Sequence, residues 1–204
     1  MPVTGVITAA GRSSRMAPDH KLIMDIQGKT LIQRSLESLL PFCDKIIIVT
    51  GANHQAIGKA LASYPNIQLI KNPNPNEGMF SSVKTGLSQS LNGPVLFLPG
   101  DCPFTPEDLI GRMLKESGDV IAASYKGKTG HPLLLSEKAV REILTDDSVL
   151  NLKQYLQTKT VIAVNSSSDV ILWDIDTHSD LYKARIYFEK IEGGSPHGED
   201  QPIG

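Results

Sequence analysis

VTGVITAAGRSSRMAPDHK, residues 3–21, opens with Val3, Gly5, Val6, Ile7 and Thr8, an apolar and β-branched run that suits a buried strand. Ala9, Ala10 and Gly11 follow directly. Without bulky side chains the backbone there can turn sharply and approach a ligand closely, and Gly11 can take a positive φ that other residues avoid. Arg12, Ser13, Ser14 and Arg15 come next, and Lys21 lies six positions beyond Arg15. A strand, a small-residue loop rich in free N–H groups and fixed cations together form a cradle suited to a polyphosphate. The loop carries a single glycine, so it is neither a Walker A motif nor the GxGxxG of dinucleotide binders.

The remaining composition fits that reading. A chain of 204 residues that is 40% hydrophobic and 21% charged can bury one good core, and one domain is expected. A formal net charge of −2 gives no electrostatic case for nucleic acid, which calls for a clustered basic face. No apolar run reaches the roughly 18 residues of a membrane span, and the N-terminus lacks a signal-peptide layout, so a cytoplasmic protein without membrane contact is expected. Cys43 and Cys102 are too few for a disulfide scaffold, and the five histidines are scattered without zinc-site spacing.

Working outward from Lys21, residues 22–28 read as a short extended piece that turns at Gly28. Thr30 is a candidate N-cap for a helix carrying Leu31, Ile32, Leu36, Leu39 and Leu40 at helical spacing, closed by Pro41. KIIIVT at 45–50 is a second buried strand, 53–63 a helix and 66–70 a third strand. This alternation predicts a mainly parallel α/β sheet with helices on both faces and ligands beyond the carboxyl ends of its strands. Residues 72–76 hold two prolines and cannot be regular, whereas Gly78 opens a helix with Met79, Val83 and Leu87 on one face and Ser81 and Ser82 in its first turn.

A fourth strand at 94–100 runs into Asp101, which either caps the helix beginning near Thr105 or holds a hard divalent ion. Cys102 beside it reads as a small buried filler. A helix at 106–116, a strand at 119–124 and a turn at 125–130 lead to HPLLL, an antiparallel strand in a locally mixed part of the sheet. His131, alone before a proline, reads as a turn residue or as a ligand contact. Helices at 136–144 and 150–157, strands at 160–164 and 171–175 and a last helix ending near Lys190 complete the pattern. The tail at 191–204 has no apolar periodicity and reads as disordered or as a truncated linker.

Four strings resemble one family. AAGRSSRMAPDHK is similar to the A-A-G-x-S-x-R-M-G-x-x-K signature of molybdenum cofactor cytidylyltransferase-like proteins of the MobA-like NTP transferase family, with Ala17 where glycine is usual. NP…GMFSSV resembles the segment lining that family's base pocket, GDCP its G-D-M-P, and GHP its G-H-P near the acceptor site. A looser match, WDIDTHSDL, resembles D-I-D-T-P-E-D-L, with His178 and Ser179 replacing proline and glutamate.

The resemblance covers residues 1–190 and implies a three-layer, Rossmann-like α/β nucleotidyltransferase fold with a mostly parallel mixed sheet. It implies transfer of CMP from CTP to a molybdopterin-type cofactor with release of pyrophosphate, dependent on Mg²⁺. Arg15, Lys21 and Asp101 are the implied catalytic residues. The nucleotide would be held by Ala9, Ala10, Gly11, Arg15, Lys21, Gly78, Ser81 and Ser82, and the acceptor by His131. Ala9 and Ala10 stand where guanylyltransferase relatives typically show glycine, and their methyl groups would take up space that a purine needs. The metal would be held by Asp101 and Asp176, with Asp174 as the competing candidate for the second carboxylate. CTP or another NTP, the molybdopterin-type acceptor and a downstream molybdoenzyme are the implied partners. The alternatives are a guanylyltransferase, a sugar or alditol-phosphate nucleotidyltransferase, and a cofactor carrier or insertion chaperone without turnover.

Overall fold

The computed structural model describes residues 2–11, 16 and 20–193. Arg15, Ala17 and the tail from residue 194, each singled out above, lie outside the described residues. The first strand, β1 (Thr4–Ala9), pairs in parallel with β4 (Lys45–Thr50) on one side and β6 (Val95–Pro99) on the other, and β5 (Ile67–Lys71) extends the sheet beyond β4. On the far side β8 (Lys128–Leu135) runs antiparallel to both β6 and β7 (Val120–Tyr125), and β9 (Val161–Asn165) returns parallel to β7. The result is a seven-stranded sheet in the order β5-β4-β1-β6-β8-β7-β9, in which β8 alone opposes the common direction. The expected α/β class and the mixed region after residue 128 are both present.

The two faces of the sheet carry separate cores, as period-two alternation requires. Ile7, Ile46, Ile48, Leu96, Leu98 and Ile121 point to one face, where they meet α1 (Leu31–Leu39), α2 (His54–Ala60), α4 (Glu107–Met113) and α7 (His178–Gly193). Val6, Ile47, Val49, Val95, Phe97 and Val120 point to the other, under α3 (Met79–Leu87), α5 (Glu137–Thr145) and α6 (Leu152–Gln157). Strands buried on both sides explain why the β-branched runs are continuous rather than alternating. A two-stranded ribbon, β2 (Asp25–Ile26) and β3 (Lys29–Thr30), stands apart from the main sheet. Thr30 occupies the N-cap position of α1 as expected, and the Gln33 side chain accepts from the Thr30 backbone N–H at 2.7 Å.

Several expectations are corrected. Residues 171–175 form no strand: Val170 and Ile171 are buried, but within a 3₁₀ turn, Asp169–Leu172, where the Val170 N–H is met by Ser168 Oγ. The helix expected over 53–63 stops at Ala60, where the chain enters a turn. Met79 does not share the buried stripe of Val83 and Leu87; it is 77% exposed, one turn short of the part of α3 that packs on the sheet. The last helix continues past Lys190 to Gly193, and Glu192 in that extension pairs with Arg34.

Candidate active site

Parallel strands place their carboxyl ends on one edge, and the residues after β1, β4, β5 and β6 gather there. Lys21 begins a 3₁₀ turn, Lys21–Ile23, anchored by buried Leu22. Asp101 follows Gly100 in the turn after β6, a segment fixed from three directions. Gly100 N–H donates to Thr8 C=O, Ser35 Oγ–H on α1 donates to Gly100 C=O at 2.8 Å, and Ile175 N–H donates to Asp101 C=O. The last of these bonds also delivers Asp176. Thr177 and Asp180 then form a reciprocal cap at the start of α7, with Thr177 N–H donating to Asp180 Oδ2 at 3.0 Å and Asp180 N–H to Thr177 Oγ1 at 3.2 Å.

The outcome is a triad of charges. Lys21 Nζ donates to Asp101 Oδ2 at 2.7 Å and to Asp176 Oδ1 at 2.7 Å. The lysine side chain is 10% exposed, against 25% and 34% for the two aspartates, so the carboxylates form the open side of the cluster. Burial pulls the Lys21 ammonium down, but the charges and hydrogen bonds of Asp101 and Asp176 outweigh it and hold its pKa above the usual lysine value. Asp174 is exposed and takes no part in this contact, so Asp176 is the carboxylate that joins Asp101 on Lys21. Burial, followed by the neighbouring Asp101 charge, pushes the Cys102 thiol well above its ordinary range, consistent with an inert filler.

The donor set suits a hard divalent ion. Two carboxylate oxygens already converge on one cationic centre, and Mg²⁺ takes only one or two protein carboxylates beside water and phosphate oxygens. Among the described residues no group of three or more His, Cys, Asp or Glu side chains forms a closed metal cage.

A second cluster lies at the start of α3. Gly78 stands there with φ +84°, a conformation that disfavours any side chain, and the helix begins immediately after it. Ser81 and Ser82 follow in the first turn and both accept hydrogen bonds from the buried Asn72 Nδ2, at 2.8 and 2.9 Å. Sequence reasoning misses Asn72, which reads there as one more turn former. Ala10 and Gly11 follow the end of β1 on this edge, whereas the Ala9 methyl is packed in the core.

His131 sits in β8 and does not touch the charged triad. Its ring packs edge-on to Phe97 with centroids 6.0 Å apart, and its Nδ1 is buried without a partner among the described residues. Burial lowers its pKa to about 4, with the Asp101 charge opposing the shift, so the imidazole is neutral near pH 7. Together with Met79, Phe80, Phe97, Pro99, Leu152 and Leu156 it lines an open cavity of about 650 Å³.

Comparison with known proteins extends this picture. The MobA-like NTP transferase domain family matches residues 5–162. The molybdenum cofactor cytidylyltransferase of Escherichia coli (strain K12) is 29% identical over 188 residues, covering 91% of this chain and 97% of that protein. The nicotine blue oxidoreductase of Paenarthrobacter nicotinovorans is 27% identical, with 89% of this chain and 95% of that protein covered. A molybdenum cofactor guanylyltransferase of Serratia proteamaculans (strain 568) is 28% identical over 65% of this chain and 66% of its own length. Among solved structures, a nucleotidyl transferase from Methanothermobacter thermautotroptrophicus superposes with a TM-score of 0.81 at 22% identity, covering 93% of this chain and 99% of that one. That last likeness shows the fold.

Proposed function

The chain belongs to the MobA-like NTP transferase domain family, and from that premise we propose that it transfers CMP from CTP to a molybdopterin-type cofactor and releases pyrophosphate. The observation that carries this reading is the single point at which Lys21, Asp101 and Asp176 meet, at the carboxyl edge of the sheet. The choice of cytidylyl over guanylyl transfer is supported by coverage. Likeness to the cytidylyltransferase runs over 91% of the chain, and likeness to the guanylyltransferase over 65%.

In this mechanism a terminal phosphate oxygen of the acceptor attacks the α-phosphorus of CTP in line. The bond from that phosphorus to the bridging oxygen of the β-phosphate breaks, and pyrophosphate leaves with the electron pair. A phosphate monoester is largely dianionic near neutral pH, its second pKa being about 6, so no general base is required. A neutral, inward-packed His131 agrees with that and suits an acceptor contact better than a proton acceptor. Lys21 and Arg15 hold the triphosphate and offset the negative charge gathering on the leaving group, a preorganised electrostatic role. Gly11, the Ala9 and Ala10 backbone, Gly78, Ser81 and Ser82 position the nucleotide, leaving reaction to proximity and charge. Asp101 and Asp176 would hold Mg²⁺, which when bound supplies Lewis-acid charge neutralisation at the phosphates.

The deciding experiment incubates the purified protein with each of the four NTPs, Mg²⁺ and candidate acceptors, and follows pyrophosphate. Release confined to CTP with molybdopterin establishes the proposal. Release with GTP instead establishes the guanylyl alternative. Stoichiometric cofactor binding without release in any combination overturns the enzyme reading in favour of a carrier.

A further inference from the structure

Asn72 is 2% exposed and continues directly from β5, its backbone N–H donating to Thr50 C=O at 2.8 Å. Its side-chain amide is oriented without ambiguity. Asn74 N–H donates at 2.8 Å to Oδ1, and only the oxygen of an amide can accept there. The other terminus must therefore be the NH₂, and it faces Ser81 Oγ and Ser82 Oγ. Both hydroxyls are obliged to accept.

Each serine then has one proton to give, and the two differ in where it goes. Ser81 has main-chain acceptors at hand, Gly78 C=O at 2.8 Å and Asn74 C=O at 2.9 Å. Ser82 is 3% exposed, and no acceptor for its proton lies within reach among the described residues. A buried hydroxyl that accepts from Asn72 and meets no acceptor among the described residues keeps its one proton free to donate, beside one remaining lone pair.

We propose that Asn72 is a positioning residue for the nucleotide base: by donating to Ser82 it turns that hydroxyl's proton away from itself and leaves it free to donate toward a ring-nitrogen or carbonyl acceptor on the base. This rests on the reading above that the first turn of α3 faces the nucleotide. Asn72 itself acts through Ser82. It keeps a donor available that an acceptor on the base edge can meet.

Asn72→Asp tests the polarity with little change of shape. The carboxylate still accepts from Asn74 N–H but can no longer donate, so the Ser82 proton turns inward to it and the donor is lost. Dissociation constants for whichever NTP wild type binds most tightly, measured by calorimetry with Mg²⁺, should rise by about tenfold to a hundredfold, the scale of one buried polar group left unpaired. In steady state the loss should fall on KM for the nucleotide. In a double-mutant cycle, Asn72→Asp/Ser82→Ala should bind no more weakly than Ser82→Ala alone. Thermal unfolding monitors folding, and Asn72→Ala serves in the same cycle if the aspartate variant does not fold. Losses that multiply across the cycle, or an Asn72→Asp protein that binds as wild type, overturn the inference alone. A Ser82→Ala protein with wild-type affinity removes the base-facing reading and the inference with it, and a wild type that binds no NTP removes the proposed function as well.

Discussion

The Lys21 ammonium lies 2.7 Å from Asp101 Oδ2, joining the turn after the first loop to the turn after β6 across 80 positions of sequence. Asp176 closes on the same nitrogen from the start of α7. Three charges from three distant segments thus meet on the edge where the parallel strands end. Such convergence stabilises little by itself when two partners are partly solvated, so its value lies in what the cluster can bind.

The first expectation concerns turnover. Lys21→Ala and Asp101→Ala should each lower kcat by at least about a hundredfold, the scale for losing one well-aimed electrostatic contact in a transition state. Circular dichroism and thermal unfolding should stay close to wild type. Near-normal rates at saturating substrate in either variant would remove that residue from the chemistry.

A second expectation follows from Lys21 Nζ standing at the point where both carboxylates converge. A divalent cation placed there would compete with the ammonium for the same oxygens, unless a bound triphosphate drew the lysine away. Mn²⁺, followed by electron paramagnetic resonance, should therefore bind wild type weakly without nucleotide. Lys21→Met, which keeps the stem and drops the charge, should bind the ion at least about tenfold more tightly, because the competing ammonium is gone while both carboxylates stay. Equal affinity in the two proteins would show that the lysine does not gate the metal.

The third expectation is a pH dependence set by His131. Its pKa is about 4 in the folded protein because burial disfavours the cation, against about 6.5 for an ordinary histidine. The unfolded chain binds the extra proton between those values. Stability should therefore fall as pH drops from about 6.5 to about 4, with a slope of at most about 1.4 kcal/mol per pH unit from this group. Urea midpoints of wild type and His131→Phe should diverge over that window and run parallel above it. Parallel curves throughout would place the imidazole in contact with solvent.

Arg34 supplies the fourth. It is buried, donates to the carbonyls of Ile26 and Gln27 at 2.8 Å each, lies 4.3 Å from the centre of the Phe188 ring, and pairs with Glu192. Arg34→Leu removes the donors from two carbonyls beneath α7 and should cost about 1 to 3 kcal/mol in urea unfolding. Glu192→Ala should cost well under about 1 kcal/mol, because that carboxylate is 46% exposed and its pair with Arg34 is screened. Equal losses would mean that the ion pair, rather than the carbonyl contacts, fixes α7.

How much of this was legible in the sequence follows from what each residue packs against. The strands at 4–9, 45–50 and 95–99 announce themselves because both faces are buried and nearly every position is apolar or β-branched. The run at 171–175, apolar but for Asp174, carries a similar local signal and is not a strand, since a short run is buried equally well by a turn. Polar anchors were invisible. Arg34 and Ser35 sit within the apolar stripe of α1, and Asn72 lies among turn formers, yet each is buried because its partners are groups distant in sequence or in another element. Asp176 was separable from Asp174 only in three dimensions, where the Ile175 N–H docks on Asp101 C=O and turns one carboxylate toward Lys21.

The last expectation concerns the choice of nucleotide and starts from the two alanines at the end of β1. The family resemblance gives a steric role to both methyl groups. The Ala9 methyl, however, is 2% exposed and belongs to the core between the sheet and its helices, so it cannot crowd a base. Ala10 is partly exposed at the start of the loop and keeps that capacity. If the base lies against this loop, the Ala10 methyl takes space that a purine would need and a pyrimidine would not. Overpacking one close contact costs about 1 to 3 kcal/mol, which corresponds to roughly a tenfold to hundredfold preference for CTP over GTP. Ala10→Gly should narrow that ratio by admitting GTP. Ala9→Gly should instead lower stability, by about 1 kcal/mol for lost core packing and added chain entropy, and leave the ratio as it was. Competition kinetics with CTP and GTP on the three proteins reads the ratio directly. A ratio that shifts with Ala9 rather than Ala10 would reverse that geometry, and a wild-type preference for GTP would overturn the cytidylyl assignment.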